Sequence, residues 1–231
     1  MLILADARMP QEALARLAQY GELITVASQG ITYQAISGHP DIFFCPTPQG
    51  LVYAPNTPAE IISKLQERNI LLIEGHHPVG DKYPETARYN AFHNDHFFVH
   101  HPHITDNTLA ERVKDKIAIP VRQAYTRCNL VEAAGLYITG DPGISGALEQ
   151  QGLTTFGISQ QQIVLPGCAH GFFGGCTAVM EKKLLVCGNI DHLPEGRSLT
   201  RALQQRGIQI VSLYDGPLWD GGSILLIQEP A

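Results

Sequence analysis

The residues best suited to chemistry lie in one short segment, CAHGFFGGC, which places Cys168, His170 and Cys176 within nine positions of each other. A thiol beside an imidazole can ionise and act as a nucleophile. Gly171, Gly174 and Gly175 between them allow a backbone to approach a ligand closely and offer unhindered N–H donors. The competing reading is structural: the glycines make a bend and the cysteines fill small core spaces. A second group is acidic. Asp41, Asp215 and Asp220 stand in loops before short apolar segments and can pair with a cationic ligand. Asp6, Asp106 and Asp141 precede helices and read better as N-caps. Arg88 and Arg127 occupy corresponding positions and suit an anionic group, so the ligand they favour is zwitterionic or anionic. His93, His96, His100, His101 and His103 are dense, but their spacing matches no metal motif and reads as a solvated hairpin. No metal site and no cofactor is expected.

These residues must be held by elements, and the elements recur. Helix signals follow Pro10, Thr57-Pro58 (with Thr57 as N-cap), Asp106-Asn107, Asp141-Pro142 and about Arg197. A strand-like run follows each: ELITV, ILLIEG, IAIPVRQ, TTFGIS and IQIVSLY. Four of the helices are preceded by a hairpin pattern: DIFFCPTPQGLVYAP, NAFHNDHFFVHH, NLVEAAGLYITG and TAVMEKKLLVCG. The first helix has only LILAD before it, and SILLIQEP (223–230) at the other end supplies the missing strand. The pattern is five ββαβ units, the fifth shared between the two termini. It implies a closed, pseudo-symmetric α/β ring with a central channel, built as a single domain over residues 1–231. An open α+β domain is the alternative. Aligning the units puts Asn90, Asn129, Thr177 and Ser223 in one column, with Asp41 loosely among them, and Tyr89, Cys128, Cys176 and Gly222 just before it. Polar residues around an axis would bind a small polar or zwitterionic molecule.

Five such units resemble the pentein fold of the guanidino-group-modifying enzymes, a five-bladed α/β propeller. The tail WDGGSILLIQEP is similar to the last strand of those enzymes, and CAHGFFGGCTAVMEKKLLVCG to their histidine-bearing hairpin. Cys168, His170, Gly171, Phe172, Gly174 and Gly175 also resemble the signature of an uncharacterised subfamily of this fold. The resemblance implies an amidinohydrolase, deiminase or amidinotransferase acting on a guanidino or amidino compound. In that reading Cys176 or Cys168 attacks the amidine carbon and His170 moves protons. Asp41, Arg88, Asn90, Arg127, Asn129, Asp220 and Ser223 bind the substrate. The chain departs from the family where it matters most. The resemblance places the usual C-terminal nucleophile at Leu226, and no cysteine follows Cys187. The alternative function is therefore a non-catalytic pentein-fold protein that binds a ligand or the ribosome.

The totals exclude other classes. A net charge of −6 on 231 residues argues against nucleic-acid or anionic-membrane partners. No apolar run reaches membrane-helix length. The N-terminus lacks the basic flank and apolar run of a signal peptide. An odd count of five cysteines without C-x-x-C spacing indicates reduced thiols in the cytoplasm. Neither nucleotide-binding glycine fingerprint occurs, nor a G-x-S-x-G elbow.

Overall fold

The computed structural model describes residues 1–228. In chain order its strands are β1 (Leu2–Asp6), β2 (Glu22–Val26), β3 (Phe44–Thr47), β4 (Gly50–Tyr53), β5 (Leu72–Glu74), β6 (Phe92–His93), β7 (Phe97–His100) and β8 (Ile117–Pro120). They continue with β9 (Leu130–Ala133), β10 (Leu136–Thr139), β11 (Thr154–Gly157), β12 (Thr177–Met180), β13 (Lys183–Val186), β14 (Gln209–Ser212) and β15 (Leu225–Ile227). The helices are α1 (Gln11–Leu17), α2 (Pro40–Phe43), α3 (Ala59–Gln66), α4 (Asn107–Arg112), α5 (Thr126–Asn129), α6 (Pro142–Glu149) and α7 (Gly196–Gln204).

The strands form five three-stranded sheets: β15-β1-β2, β3-β4-β5, β6-β7-β8, β9-β10-β11 and β12-β13-β14. In each, the first two strands are antiparallel and the third joins parallel after a helical crossover, as in β9-β10-β11. The shared unit pairs Leu2 with Ile227 and Leu4 with Leu225 across the two ends of the chain. Glu229 and Pro230, the last residues of the expected tail strand, lie outside the described residues. Ser223 precedes β15, with φ of 64°.

Position in the sheet explains the apolar runs. β1 is central, so all five of its residues are buried. Ile3 and Ala5 pack with Ala13, Leu14 and Leu17 of α1, whereas Leu2 and Leu4 face a cluster with Ile42, Phe43 and Val52. The helices bury i, i+4 pairs: Ala13 and Leu17, Ile61 and Leu65, Ile144 and Leu148, Leu199 and Leu203. Asp106 accepts from the backbone N–H of Thr108 and Leu109, and Asp141 from that of Ile144, so both are caps. Two expected caps are not. Pro58 occupies the N-cap of α3, and the Thr57 hydroxyl donates to the Ala54 carbonyl instead. Asp6 is separated from α1 by a loop and pairs with Arg8.

The first strand of each hairpin, together with the turn before it, meets its counterpart in the next sheet. Asp41 N–H donates to the Gly222 carbonyl, and the Cys45 thiol lies 3.8 Å from the Ala91 carbonyl. Thr126 N–H donates to Asn90, and Gly174 packs against the carbonyls of Arg127 and Cys128. Ser223 N–H then donates to Gly175 and Ile224 N–H to Thr177, which returns to the starting sheet.

Candidate functional site

The turns before the inner strands carry most of the polar residues that the structure buries. Asp41 sits in α2, where Pro40 at the first helical position fixes the turn. Cys128 and Asn129 sit in α5, and Cys176 ends a 3-10 turn at 174–176. Short helical turns of this kind precede β3, β9 and β12.

Four of these residues form one bonded group. The Cys128 thiol donates to Asp41 Oδ2 at 2.9 Å, and the Ser223 hydroxyl donates to the same oxygen at 2.7 Å. Asn90 Nδ2 donates to Cys128 Sγ at 3.1 Å, while Asn90 Oδ1 accepts from the Cys128 backbone N–H. Asp41, Asn90, Cys128 and Ser223 are all buried. Burial raises the Asp41 carboxyl above its ordinary range, and its bonds to Cys128 and Ser223 oppose that rise. Burial, followed by the Asp41 and Asp220 charges, pushes the Cys128 thiol well above the ordinary value.

His39 lies beside this group and is 1% exposed. Among the described residues neither of its ring nitrogens has a hydrogen-bond partner, nor does Asp41 Oδ1. Nε2 is 3.9 Å from Asp6 Oδ2. Burial, then the Arg8 charge, lowers the His39 pKa to about 3, opposed by the Asp220 backbone, so the imidazole is neutral. One ligand atom each from His39, Asp41 and Cys128 lie within 4.8 Å of one another. Gly222 makes room for the ring: it has φ of 68°, and a Cβ there would stand 2.2 Å from His39 Cβ. Asp220 accepts from the N–H of Phe172 and Gly222, yet burial raises its pKa to about 7.

Aromatic residues gather at this end of the sheets. The Tyr33 and Tyr125 hydroxyls are 3.3 Å apart, and Tyr125 also bonds Thr86. The Tyr125 ring is 5.5 Å from Tyr83 and 6.5 Å from Phe172, which in turn contacts His170 at 5.8 Å. Burial raises the Tyr33 pKa, its bond to Tyr125 opposes that rise, and the charges of Cys168, Cys128 and Asp220 add to it. A cleft of about 890 Å³ opens alongside, lined by Asn129, Asp141, Ser159, Gln160, His170 and Glu195 among others.

The residues expected from the sequence fall into separate places. Asp41, Asn90 and Ser223 come together, joined by Cys128 and His39, which the sequence reading left outside the site. Asp220 sits beside them. Asn129 Oδ1 accepts from Gln160 at 3.1 Å and belongs to the cleft, together with His170. Arg127 lines a narrower cavity of about 170 Å³ with His93 and Asn94, and its charge reaches Asp41. Arg88 is 3.7 Å from Glu85, and its buried Nε has no partner among the described residues.

Cys176 packs with Phe173, Leu184, Val186 and Leu218, and its thiol donates to the Phe172 carbonyl at 3.3 Å. Cys168 is exposed, and His170 Nδ1 lies 3.0 Å from the Gly171 carbonyl. Among the described residues no hydrogen bond joins Cys168, His170 and Cys176. Leu226 packs on the α1 side with Ile3, away from Asp41, so it does not stand at the polar group. Asp215 accepts from Asn189 at an exposed position. The histidines at 93–103 do not converge on one point: His93 meets the Pro46 carbonyl, His100 is buried against Ala87, Ala124 and Thr105, and His96 and His103 are exposed.

These five three-stranded sheets give the chain a pentein-like α/β fold. A family model described as "Family of unknown function (DUF6873)" matches residues 4–225, and the chain belongs to that family. The chain is similar in structure to SxtG, an amidinotransferase from Microseira wollei in the saxitoxin biosynthetic pathway. That match has 9% identity and a TM-score of 0.51, and it covers 91% of this chain and 87% of that one. It is also similar to DDAH from Pseudomonas aeruginosa, solved as a cysteine-to-serine mutant with citrulline. There the identity is 10% and the TM-score 0.55, with 91% of each chain covered. No curated protein matches the sequence. Among the described residues no helix is long and apolar enough to cross a membrane.

Proposed function

We propose that this protein is an enzyme of the guanidino-group-modifying type, with Cys128 as its nucleophile. Its five sheets close as a single-domain, five-bladed ring around the Asp41–Cys128 group. The cyclic series of contacts between inner strands supports the ring, and the shared fold of the amidinotransferase and DDAH supports the chemistry. The observation that carries the reading is a buried thiol bonded to a carboxylate whose other oxygen, Asp41 Oδ1, lacks a partner.

A guanidinium N–H donated to Asp41 Oδ1 fills that need and brings the amidine carbon beside Cys128 Sγ. The aromatic cover and the Asp220 carboxylate favour the same cation. At rest the thiol is protonated, and the positive charge of the ligand favours the thiolate. The Cys128 proton passes to Asp41, its bonded acceptor, as sulfur attacks the amidine carbon. The C–N bond breaks and the leaving amine takes that proton from Asp41. Water then displaces the thiol to give a ureido product, or an acceptor amine displaces it to give an amidine transfer. His170, at the mouth of the cleft, is placed to exchange protons with solvent. Five free thiols suit a reducing compartment, and we assign the protein to the cytoplasm on that ground.

The test is turnover of arginine, agmatine and N-methylated arginines, read as release of ammonia or amine and formation of ureido product, with and without an acceptor amine. Cys128→Ser should lower the rate by at least about a thousandfold. Cys176→Ser should stay within about threefold of the native protein. A Cys128→Ser protein that keeps the native rate overturns the assignment.

A further inference from the structure

The geometry points to a site for a borderline divalent cation of the Zn²⁺ type, formed by His39, Asp41 and Cys128. Each offers one ligand atom, all three residues are buried, and the three atoms lie within 4.8 Å of one another. Two of the donors stand unused: both His39 ring nitrogens and Asp41 Oδ1 have no hydrogen-bond partner among the described residues. A buried polar atom without a partner costs about 1–3 kcal/mol. A cation takes one lone pair from the neutral imidazole and one from Asp41, which accounts for one ring nitrogen and the bare carboxylate oxygen; the other ring nitrogen carries the N–H.

The donor set selects the metal. One nitrogen, one oxygen and one sulfur suit Zn²⁺ or Co²⁺, while Mg²⁺ and Ca²⁺ prefer oxygen alone. Three protein ligands leave a fourth position of a tetrahedron open. Bond lengths of roughly 2.0–2.3 Å place tetrahedral ligand atoms about 3.3–3.7 Å apart, so a closure of roughly 1 Å completes the set. The surroundings have the form of an outer shell. Asp6 Oδ2 is 3.9 Å from His39 Nε2, where a carboxylate can orient a ligating imidazole. Ser223 and Asn90 bond the Asp41 and Cys128 ligand groups directly. The metal displaces the Cys128 thiol proton, which leaves to solvent, and a sulfur–metal bond forms. A metal-bound sulfur cannot attack an amidine carbon, so metal and guanidinium exclude each other. The metal site goes beyond the proposed activity and does not depend on it.

The experiment is a titration of the chelator-treated full chain with Co²⁺ in the absence of any substrate. One equivalent should bind, with a thiolate-to-cobalt charge-transfer band and the visible absorption of tetrahedral cobalt. Cys128→Ser should lose the charge-transfer band, Cys168→Ser should keep it, and Asp41→Asn should bind at least about tenfold more weakly. Zn²⁺ should raise the melting temperature of the native protein, whereas Mg²⁺ should not. That thermal readout needs no variant to fold. Absence of the band in the native protein, a band that survives Cys128→Ser, or an equal thermal shift with Mg²⁺ overturns the site. Failure of turnover with successful cobalt binding rejects the enzyme reading alone.

Discussion

The turns at 126–129 and 174–176 stand at the mouths of adjacent sheets, each presents a cysteine just before a strand, and each thiol is buried. They differ in what faces them. Cys128 meets Asp41, Asn90 and, through Asp41, Ser223. Cys176 meets one backbone carbonyl and a wall of Phe173, Leu184 and Leu218. Cys176 is packed as apolar filler, whereas Cys128 has polar partners on the facing sheet. The neighbouring sheet, rather than the turn itself, decides which it is.

Acid should separate the two turns most. His100 is buried between Ala87 and Ala124, so it buttresses the turn that holds Cys128 and not the turn of Cys176. Burial lowers its pKa to about 4 from 6.5. The native state therefore binds fewer protons than the unfolded chain between those values. Stability is complete above about pH 6.5 and falls as pH drops toward 4. A shift of that size corresponds to about 3 kcal/mol. His93, also lowered to about 4, adds a loss of the same sign. Hydrogen exchange at pH 4.5 should accelerate at the amides of 126–129 before those of 174–177. Equal acceleration in both turns would break the contrast. Next in size is Gly175→Ala. A Cβ there would lie 1.9 Å from Asp220 Oδ1, a buried short side chain with nowhere to move. The cost should be about 1–3 kcal/mol. At this chain length thermal unfolding should report a drop of about 2–4 °C per kcal/mol.

The five units and the shared terminal sheet were legible because period, helix starts and the complementary end segments are local signals. The column of Asn90, Asn129, Thr177 and Ser223, with Asp41 loosely aligned, is legible for the same reason, although Asn129 bonds Gln160 and Thr177 bonds Gly174 rather than Asp41. Cys128 stands one position before the column, and nothing in the local sequence distinguishes it. Its significance comes from Asp41, 87 residues away, and no local pattern shows which sheet faces it. His39 was invisible in the same way, because a missing partner can be seen only once the fold encloses the ring. The CAHGFFGGC segment drew attention through its spacing, yet its two thiols part company: Cys168 is exposed and Cys176 joins an apolar cluster. Thr57 is not the cap because its hydroxyl donates back to the Ala54 carbonyl and the helix starts one residue later.

The smallest effect is also the sharpest test of why Asp41 is retained. Its carboxylate is buried, with one oxygen satisfied by Ser223 and Cys128 and the other bare. Asp41→Asn keeps the shape and the accepting oxygen, and it replaces the bare oxygen with an N–H donor that a neutral His39 nitrogen can accept. Removing an unpaired buried charge in this way should stabilise the metal-free protein by about 1 kcal/mol, a rise of about 2–4 °C in melting temperature. The equivalent exchange has no counterpart at Cys176, which faces no carboxylate at hydrogen-bond distance among the described residues. A gain in stability with loss of ligand or cobalt binding would mean that Asp41 is held for function against the interest of the fold. A fall in melting temperature would mean that the carboxylate is instead a structural partner of Ser223 and Cys128, and the contrast between the two turns would lose its functional meaning.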